Sequence, residues 1–252
     1  REQAEQLPNY TPADFFERMR VEAISGGEDK LAIRLLRVLN LRAGREVSSS
    51  EIGYDAFGLA SPATIVWIAR IRAGEDLTEA QMILREMIEK YPMSEAIPEA
   101  LHLLATLNME IGYFSESVEI YDRILNEYFN SPYASDAAIN KAHALYMSRR
   151  YNDAVKAYSM ILNQREWRGK LWAEATYKIG LCFVEMNELG KAQGFLERTY
   201  LAYSGYPEWS GKAVLESAKL LLSNGEKESA RKTYSYFLNN TKYSNSEIYQ
   251  EI

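Results

Sequence analysis

The stretch that decides the fold, residues 128–162, reads YFNSPYASDAAINKAHALYMSRRYNDAVKAYSMIL. Ala142 and Ala154 are small residues with a turn between them. Tyr158 follows Ala154 by four positions, so Ala154 and Tyr158 lie on the same face of a helix. Small residues let two helices approach closely, and the bulky side chains of Tyr151 and Tyr158 fill the space beside them. This order of small residue, turn, small residue and bulky residue therefore predicts two antiparallel helices.

The same offsets recur along the chain, so they describe an architecture. The small residue of the second helix is found at Ala80, Ser117, Ala154, Ala192 and Ala230, which are 37, 37, 38 and 38 positions apart. The small residue of the first helix recurs as Ala105, Ala142, Gly180 and Ala218. One turn after the small residue of the second helix a bulky residue recurs, as Leu84, Tyr121, Tyr158, Leu196 and Tyr234. A helix pair of this kind cannot bury both faces alone, so the units are expected to stack.

Glycine and proline residues mark the ends of helices within this repeat. Gly112 and Gly225 fall in the turns inside two units, where a helix has to end and reverse. Pro92, Pro132 and Pro207 fall between units and stop one helix before the next begins. The positions of glycine and proline therefore indicate the same helix boundaries as the repeat spacing does.

Composition narrows the classes of function. The chain has 252 residues, of which 47% are hydrophobic and 25% charged, as in an ordinary globular protein. The net charge of −6 has the wrong sign for a protein that binds a nucleic-acid backbone, so no nucleic-acid partner is expected. No apolar run approaches the roughly 18 residues that a bilayer span needs, so no membrane span is expected either.

The repeated order of small residue, turn, alanine, aromatic and proline-bearing connector resembles the tetratricopeptide repeat (TPR). The resemblance covers residues 62–238 as five in-phase units. Ile68 replaces a small residue in the first unit, and Ser117 and Leu196 replace the usual alanine and aromatic residue. The resemblance implies an all-α fold, a right-handed superhelix of about six antiparallel helix pairs.

The sixth pair is expected outside the regular repeats. Residues 14–40 read as a divergent helix pair, after an extended segment at 1–13. Residues 41–61, which contain SSSEIGYDAFG, are expected to form an inserted connector, and residues 239–252 a polar tail or the start of a further helix. The start at Arg1 suggests a trimmed chain, which leaves open that this is a TPR module of a larger multidomain protein.

Two connectors, EKYPMSEAIPEAL and NEYFNSPYASDAA, resemble those of bacterial cell-envelope TPR proteins. Outer-membrane assembly lipoproteins and the Tol-Pal coordinator are examples of that group. This resemblance implies a role in envelope assembly and favours a periplasmic or cell-envelope location over the cytoplasm.

Residues that could carry chemistry are scarce. The single cysteine, Cys182, excludes an internal disulfide and a cysteine-based zinc site, and its helical phase predicts a buried small side chain. The two histidines, His102 and His143, have no neighbouring cysteine or carboxylate at metal-ligand spacing. No nucleophile motif or phosphate loop is present. The sequence therefore predicts a protein that is not an enzyme and that needs no cofactor or metal.

The TPR resemblance also indicates a partner surface. Its inward-facing positions on the first helices form a concave groove that is apolar and aromatic, and the cationic clamp of chaperone-associated members is absent there. These positions are His102, Thr106, Met109, Ile139, His143, Tyr146, Tyr177, Leu181, Val184, Leu215 and Lys219. Such a groove suits an amphipathic helix or an extended apolar peptide of a protein partner. It could instead be filled by a flanking helix of the same chain.

Four aromatic residues in or beside the connectors suggest an alternative. Tyr133, Trp167, Trp172 and Trp209 are expected near one edge of the stack. Such an aromatic edge could bind glycan, or it could pack the connectors onto the next unit. Trp67, in contrast, occupies a helix position that is normally core.

Overall fold

The computed structural model describes residues 61–239, and within them it contains α-helices, one 3₁₀ turn at Arg165–Trp167 and no strand. The expectations for residues 1–13 and 14–40, and for nearly all of 41–61 and 239–252, lie outside the described residues. The helices are α1 Pro62–Ala73, α2 Leu77–Lys90, α3 Ile97–Glu110, α4 Phe114–Glu127, α5 Ala134–Met147, α6 Tyr151–Ile161, α7 Lys170–Glu185, α8 Leu189–Ala202, α9 Pro207–Ser223 and α10 Lys227–Leu238.

The chain divides into two compact units between Gly112 and Tyr113. In unit 1, α1 contacts α2 and α3, and α2 contacts α3. In unit 2, each helix from α4 to α10 contacts the next one along the chain. Helices joined by such short turns form helical hairpins, which is the arrangement that the spacing of small residues predicts.

The starts of the second helices have the same spacing as the repeats in the sequence. The second helix of each pair begins at Leu77, Phe114, Tyr151, Leu189 and Lys227, again 37, 37, 38 and 38 residues apart. The five small anchor residues, from Ala80 to Ala230, are all 0% exposed. The bulky residue one turn later is also fully buried in four of the five copies, whereas Tyr234 is half-buried. The prediction that these positions are core is thus confirmed for four copies.

Side-chain caps define the starts of α1 and α2 in unit 1. The Ser61 hydroxyl accepts a hydrogen bond from the Thr64 amide at 3.3 Å. The Asp76 carboxylate accepts from the amides of Thr78 and Glu79 at 2.9 and 3.0 Å. Because these amides have no partner within their own helix, each cap stabilises a helix start.

Left-handed backbone closes four of the turns inside the helix pairs. Gly112 and Gly225 have φ angles of 83° and 84°, as expected for glycine at this position. Arg149 and Asn187 occupy the same position with φ angles of 61° and 58°. Sequence reasoning finds the two glycines but misses the other two residues, because the period fixes the place of the turn and leaves its residue type open.

We expect Arg149→Gly to raise the free energy of unfolding by about 0.5–1 kcal/mol. A non-glycine residue pays about 1–2 kcal/mol for left-handed backbone, and the added freedom of glycine in the unfolded chain cancels only part of that. Asn187→Gly is the matched control, and we expect a change below about 0.5 kcal/mol because asparagine tolerates this conformation. Urea unfolding of both variants measures the difference; destabilisation by Arg149→Gly would contradict the assignment.

The core of unit 2 is rich in aromatic residues towards its end. Tyr177 and Trp209 have ring centroids 5.8 Å apart, and both are only 8% exposed. Their cluster also contains Ala173, Leu196, Tyr200, Ala213, Val214 and Phe237. In unit 1, Trp67 is 7% exposed, which confirms its predicted place in the core.

Candidate functional site

The first helices of unit 2 form a layer that carries most of the predicted groove positions. Helix α7 contacts both α5 and α9. We call the side chains of this layer at Ile139, His143, Tyr146, Tyr177, Leu181, Val184 and Leu215 the α5–α7–α9 surface. Five of them are half-buried, whereas Ile139 and Tyr177 are each 8% exposed. Half-buried side chains keep a contact face, but Tyr177 contributes chiefly to the core.

Three predicted groove residues lie in unit 1, on α3. His102, Thr106 and Met109 follow one another at intervals of four and three residues, so they share a helix face. All three are half-buried, and the Thr106 hydroxyl donates to the carbonyl oxygen of His102 at 2.9 Å. These residues form a second candidate contact face, on unit 1.

A polar cluster at one end of the α5–α7–α9 surface was not predicted. The hydroxyls of Tyr146 and Tyr151 donate to the two carboxylate oxygens of Glu185, at 3.4 and 3.3 Å. The two rings meet edge to face, with centroids 5.5 Å apart and an interplanar angle of 62°. Lys178 Nζ lies 6.0 Å from the Tyr146 centroid. The apolar, aromatic groove inferred from the family positions therefore also contains charged groups.

Burial shifts the pKa values of Tyr146 and His143 on this surface. It raises the pKa of the Tyr146 hydroxyl to about 12, with the Glu185 carboxylate as a further cause. Burial also lowers the pKa of His143, and the nearby Lys178 cation adds to that effect. The imidazole of His143 is therefore neutral at pH 7 and behaves as a contact residue.

The four residues of the predicted aromatic edge fall into different environments. Trp209 lies in the core of unit 2, where it cannot serve as a platform. Trp172 is half-buried and its indole N–H donates to the Gln164 carbonyl oxygen at 3.1 Å, so it packs the connector. Tyr133 and Trp167 are half-buried. The Trp167 ring lies 5.5 Å from that of Phe129, which is 42% exposed and was not predicted.

Trp167 also borders a cavity of about 440 Å³. Its lining comes from the starts of α5 and α7 and from the 3₁₀ turn, and it consists of Ser135, Asp136, Ile139, Glu166, Trp167, Arg168, Lys170, Leu171 and Glu174. Burial raises the pKa of the Glu174 carboxyl. The cavity thus combines one indole ring with carboxylates and cations.

Within residues 61–239 no cluster of three histidine, cysteine, aspartate or glutamate side chains could hold a metal ion. Over the same range, no helix is long and apolar enough to cross a membrane. Cys182 is 0% exposed, which confirms the prediction of a buried side chain.

Burial raises the pKa of the Cys182 thiol to about 12, from an ordinary value of 9.0. At pH 8 this shift lowers the thiolate fraction about 1000-fold. We therefore expect Cys182 to react with a thiol-specific reagent only after unfolding, which is checked by labelling with and without urea. Rapid labelling of the folded chain would contradict the buried position.

Comparisons with known proteins bear on the fold. No protein-family model matches the chain, and no curated protein matches it. Among solved structures, MamA from Desulfovibrio magneticus RS-1 is 15% identical, covers 74% of this chain and 98% of its own, and has a TM-score of 0.56. Another MamA crystal structure is 20% identical, covers 70% and 90%, and has a TM-score of 0.57. The TPR-like repeats of a putative kinesin light chain from Podosopora anserina are 14% identical, cover 69% and 93%, and have a TM-score of 0.54.

These similarities concern the fold, which is all-α and matches TPR-like solenoid structures. The predicted fold class is confirmed. At such low identity the functions of these proteins do not transfer to this chain.

Proposed function

We propose that the chain is a non-enzymatic scaffold or adaptor that binds another protein. The observation that carries this proposal is the α5–α7–α9 surface, on which Tyr146, Leu181, Val184 and Leu215 are half-buried on neighbouring first helices. Side chains packed on rigid helices lose little conformational entropy on binding, so contact energy is available for affinity. The TPR-like fold supports the same role, because stacked helix pairs expose long continuous surfaces.

The proposed ligand is an amphipathic helix or an extended apolar peptide. Tyr146, Leu181 and Val184 are half-buried and keep part of their apolar area accessible. Such a surface accepts one apolar face of a partner segment, while the polar face of that segment stays in water. The larger anchor side chains are expected to supply most of the affinity.

The experiment is a pull-down from a lysate of the source organism with the full 252-residue chain. The test variant is Val184→Asn, Leu215→Asn, which removes apolar area from two half-buried groove positions without adding charge. The matched control is Met160→Asn, Leu201→Asn, which makes the same change on the second helices α6 and α8, where these side chains are 62% and 63% exposed.

We expect the native chain and the control to retain a partner that the groove variant loses, because its apolar contacts are gone. Circular dichroism verifies that all three proteins are folded. Equal recovery by the groove variant and the native chain would contradict the proposed surface. Tyr177 is left unchanged in all three proteins, because its side chain is part of the core and a charge there would lower the stability.

We further propose that the scaffold works in a bacterial envelope assembly, in the periplasm or at the cell envelope. The support is the resemblance of its connectors, EKYPMSEAIPEAL and NEYFNSPYASDAA, to envelope TPR proteins. The same helices would serve equally well as a TPR module of a larger protein. Fractionation of source cells, with detection by an antibody against the chain, shows in which compartment the chain lies. Recovery of all signal in the cytoplasm would contradict the envelope role.

The cavity beside Trp167 favours a second candidate function, binding of glycan. Sugar rings stack on indole faces and hydrogen-bond to carboxylates, and this cavity offers both through Trp167, Asp136 and Glu174. Cell-wall glycan should then bind the native chain, and Trp167→Ala should abolish that binding. Phe129→Ala removes the neighbouring ring and is the control for general loss of aromatic area. Absence of glycan binding by the native chain would remove this candidate.

A further inference from the structure

A carboxylate at the end of the α5–α7–α9 surface is held by two tyrosine hydroxyl groups. Glu185 is exposed, and its two oxygens accept from the Tyr146 and Tyr151 hydroxyls. Among residues 61–239, neither lysine nor arginine forms an ion pair with it. The neighbouring Glu188, in contrast, is paired with Lys191. Glu185 is therefore a carboxylate that two hydroxyl groups orient and that has no ion-pair partner among the described residues.

The surroundings of Glu185 favour a positive charge. It is the last residue of α7, and the carboxyl end of a helix carries partial negative charge that attracts cations. The rings of Tyr146 and Tyr151 stand edge to face beside it, and the face of a tyrosine ring attracts cations. Lys178 forms no ion pair with Glu185: it lies seven residues earlier on α7, about 10 Å along the axis, and its Nζ lies 6.0 Å from the Tyr146 ring centroid.

We propose that Glu185, Tyr146 and Tyr151 form a subsite for a lysine or arginine side chain of a peptide that lies on the α5–α7–α9 surface. This inference rests on the proposed function. It gives the partner segment a definite chemistry: apolar residues for Leu181 and Val184, followed by a basic residue at the carboxyl end of α7. The carboxylate accepts hydrogen bonds from the basic head group, and the tyrosine rings flank its aliphatic stem.

The test is selection of a displayed library of random 12-residue peptides on the full 252-residue chain. We expect the selected peptides to share apolar residues and one lysine or arginine at a fixed spacing. Replacing that residue by glutamine should weaken binding about tenfold, as loss of a charge-assisted hydrogen bond predicts. Fluorescence anisotropy of the labelled peptide measures the affinity.

Variants of the chain locate the effect. Glu185→Gln should weaken binding of the selected peptide about tenfold, and Tyr151→Phe about threefold, because one donor that orients the carboxylate is lost. Glu188→Gln should leave affinity unchanged, since that carboxylate is already paired. Raising the salt concentration should weaken binding to the native chain more than to Glu185→Gln.

The outcomes separate this inference from the proposed function. Peptides that depend on Val184 and Leu215 but need no basic residue, and that ignore Glu185→Gln, would overturn the subsite and leave the groove intact. Equal losses from Glu185→Gln and Glu188→Gln would also overturn it, because the effect would then be general charge. Failure to select any peptide, or binding unaffected by Val184→Asn, Leu215→Asn, would overturn the proposed function and the subsite together.

Discussion

Tyr158→Ala is expected to lower the free energy of unfolding of the chain by about 3–5 kcal/mol, the cost typical of removing a buried aromatic ring. Tyr158 is 0% exposed, and the small residues that the pattern places beside it, Ala142 and Ala154, are also 0% exposed. Alanines cannot move into the space that the ring leaves, so a cavity should persist. A loss of this size is a large fraction of the stability of an ordinary domain.

Tyr158→Phe is the matched control, since it keeps the ring and removes only the hydroxyl. Among the described residues, no group forms a hydrogen bond with that buried oxygen. Burial without a partner is costly, so the phenylalanine variant should be as stable as the native chain or more stable by about 1 kcal/mol. Urea unfolding of both variants decides; a loss below about 1 kcal/mol for Tyr158→Ala would mean that the position is not core.

The period of the sequence was sufficient to predict the helical core. Small residues at Ala80, Ser117 and their equivalents can recur at 37 or 38 positions only if the same helix contact is made each time, and each of them is fully buried. Burial at these positions is a local consequence of the helix pair. It could therefore be derived without knowledge of the rest of the chain.

The connectors and the surface were harder to predict. Trp172 and Trp209 both lie beside connectors in the sequence, but Trp209 is the third residue of α9 and packs on Tyr177, whereas Trp172 bonds the connector carbonyl of Gln164. Which environment a connector residue meets depends on the packing of the next unit, which no periodicity records. Glu185 was missed for a related reason, because its significance depends on Tyr146 and Tyr151 from two other helices.

Gly180 and Leu196 show how one helix pair departs from the pattern and remains packed. They hold the positions that Ala142 and Tyr158 hold in the preceding pair. A Cβ atom on Gly180 would lie 3.0 Å from Leu196 Cδ2 and 3.1 Å from its Cγ, closer than carbon atoms normally approach. The absence of a side chain at Gly180 therefore makes room for Leu196, which is 0% exposed.

We expect Gly180→Ala to lower the free energy of unfolding by about 1–3 kcal/mol, the usual cost of overpacking a core. Leu196→Ala should cost about 2–5 kcal/mol because it leaves a cavity. The double variant should be more stable than the sum of these losses implies, by about 0.5–3 kcal/mol, since the new methyl group then enters space that the leucine has left. Gly194→Ala is the control: on α8 the added carbon would have no atom within 4 Å apart from its chain neighbours and the backbone of its own helix, and alanine there should stabilise the helix by about 1 kcal/mol. Strictly additive losses would show that Gly180 and Leu196 are not in contact, and the explanation of the period by close helix approach would then fail for this pair.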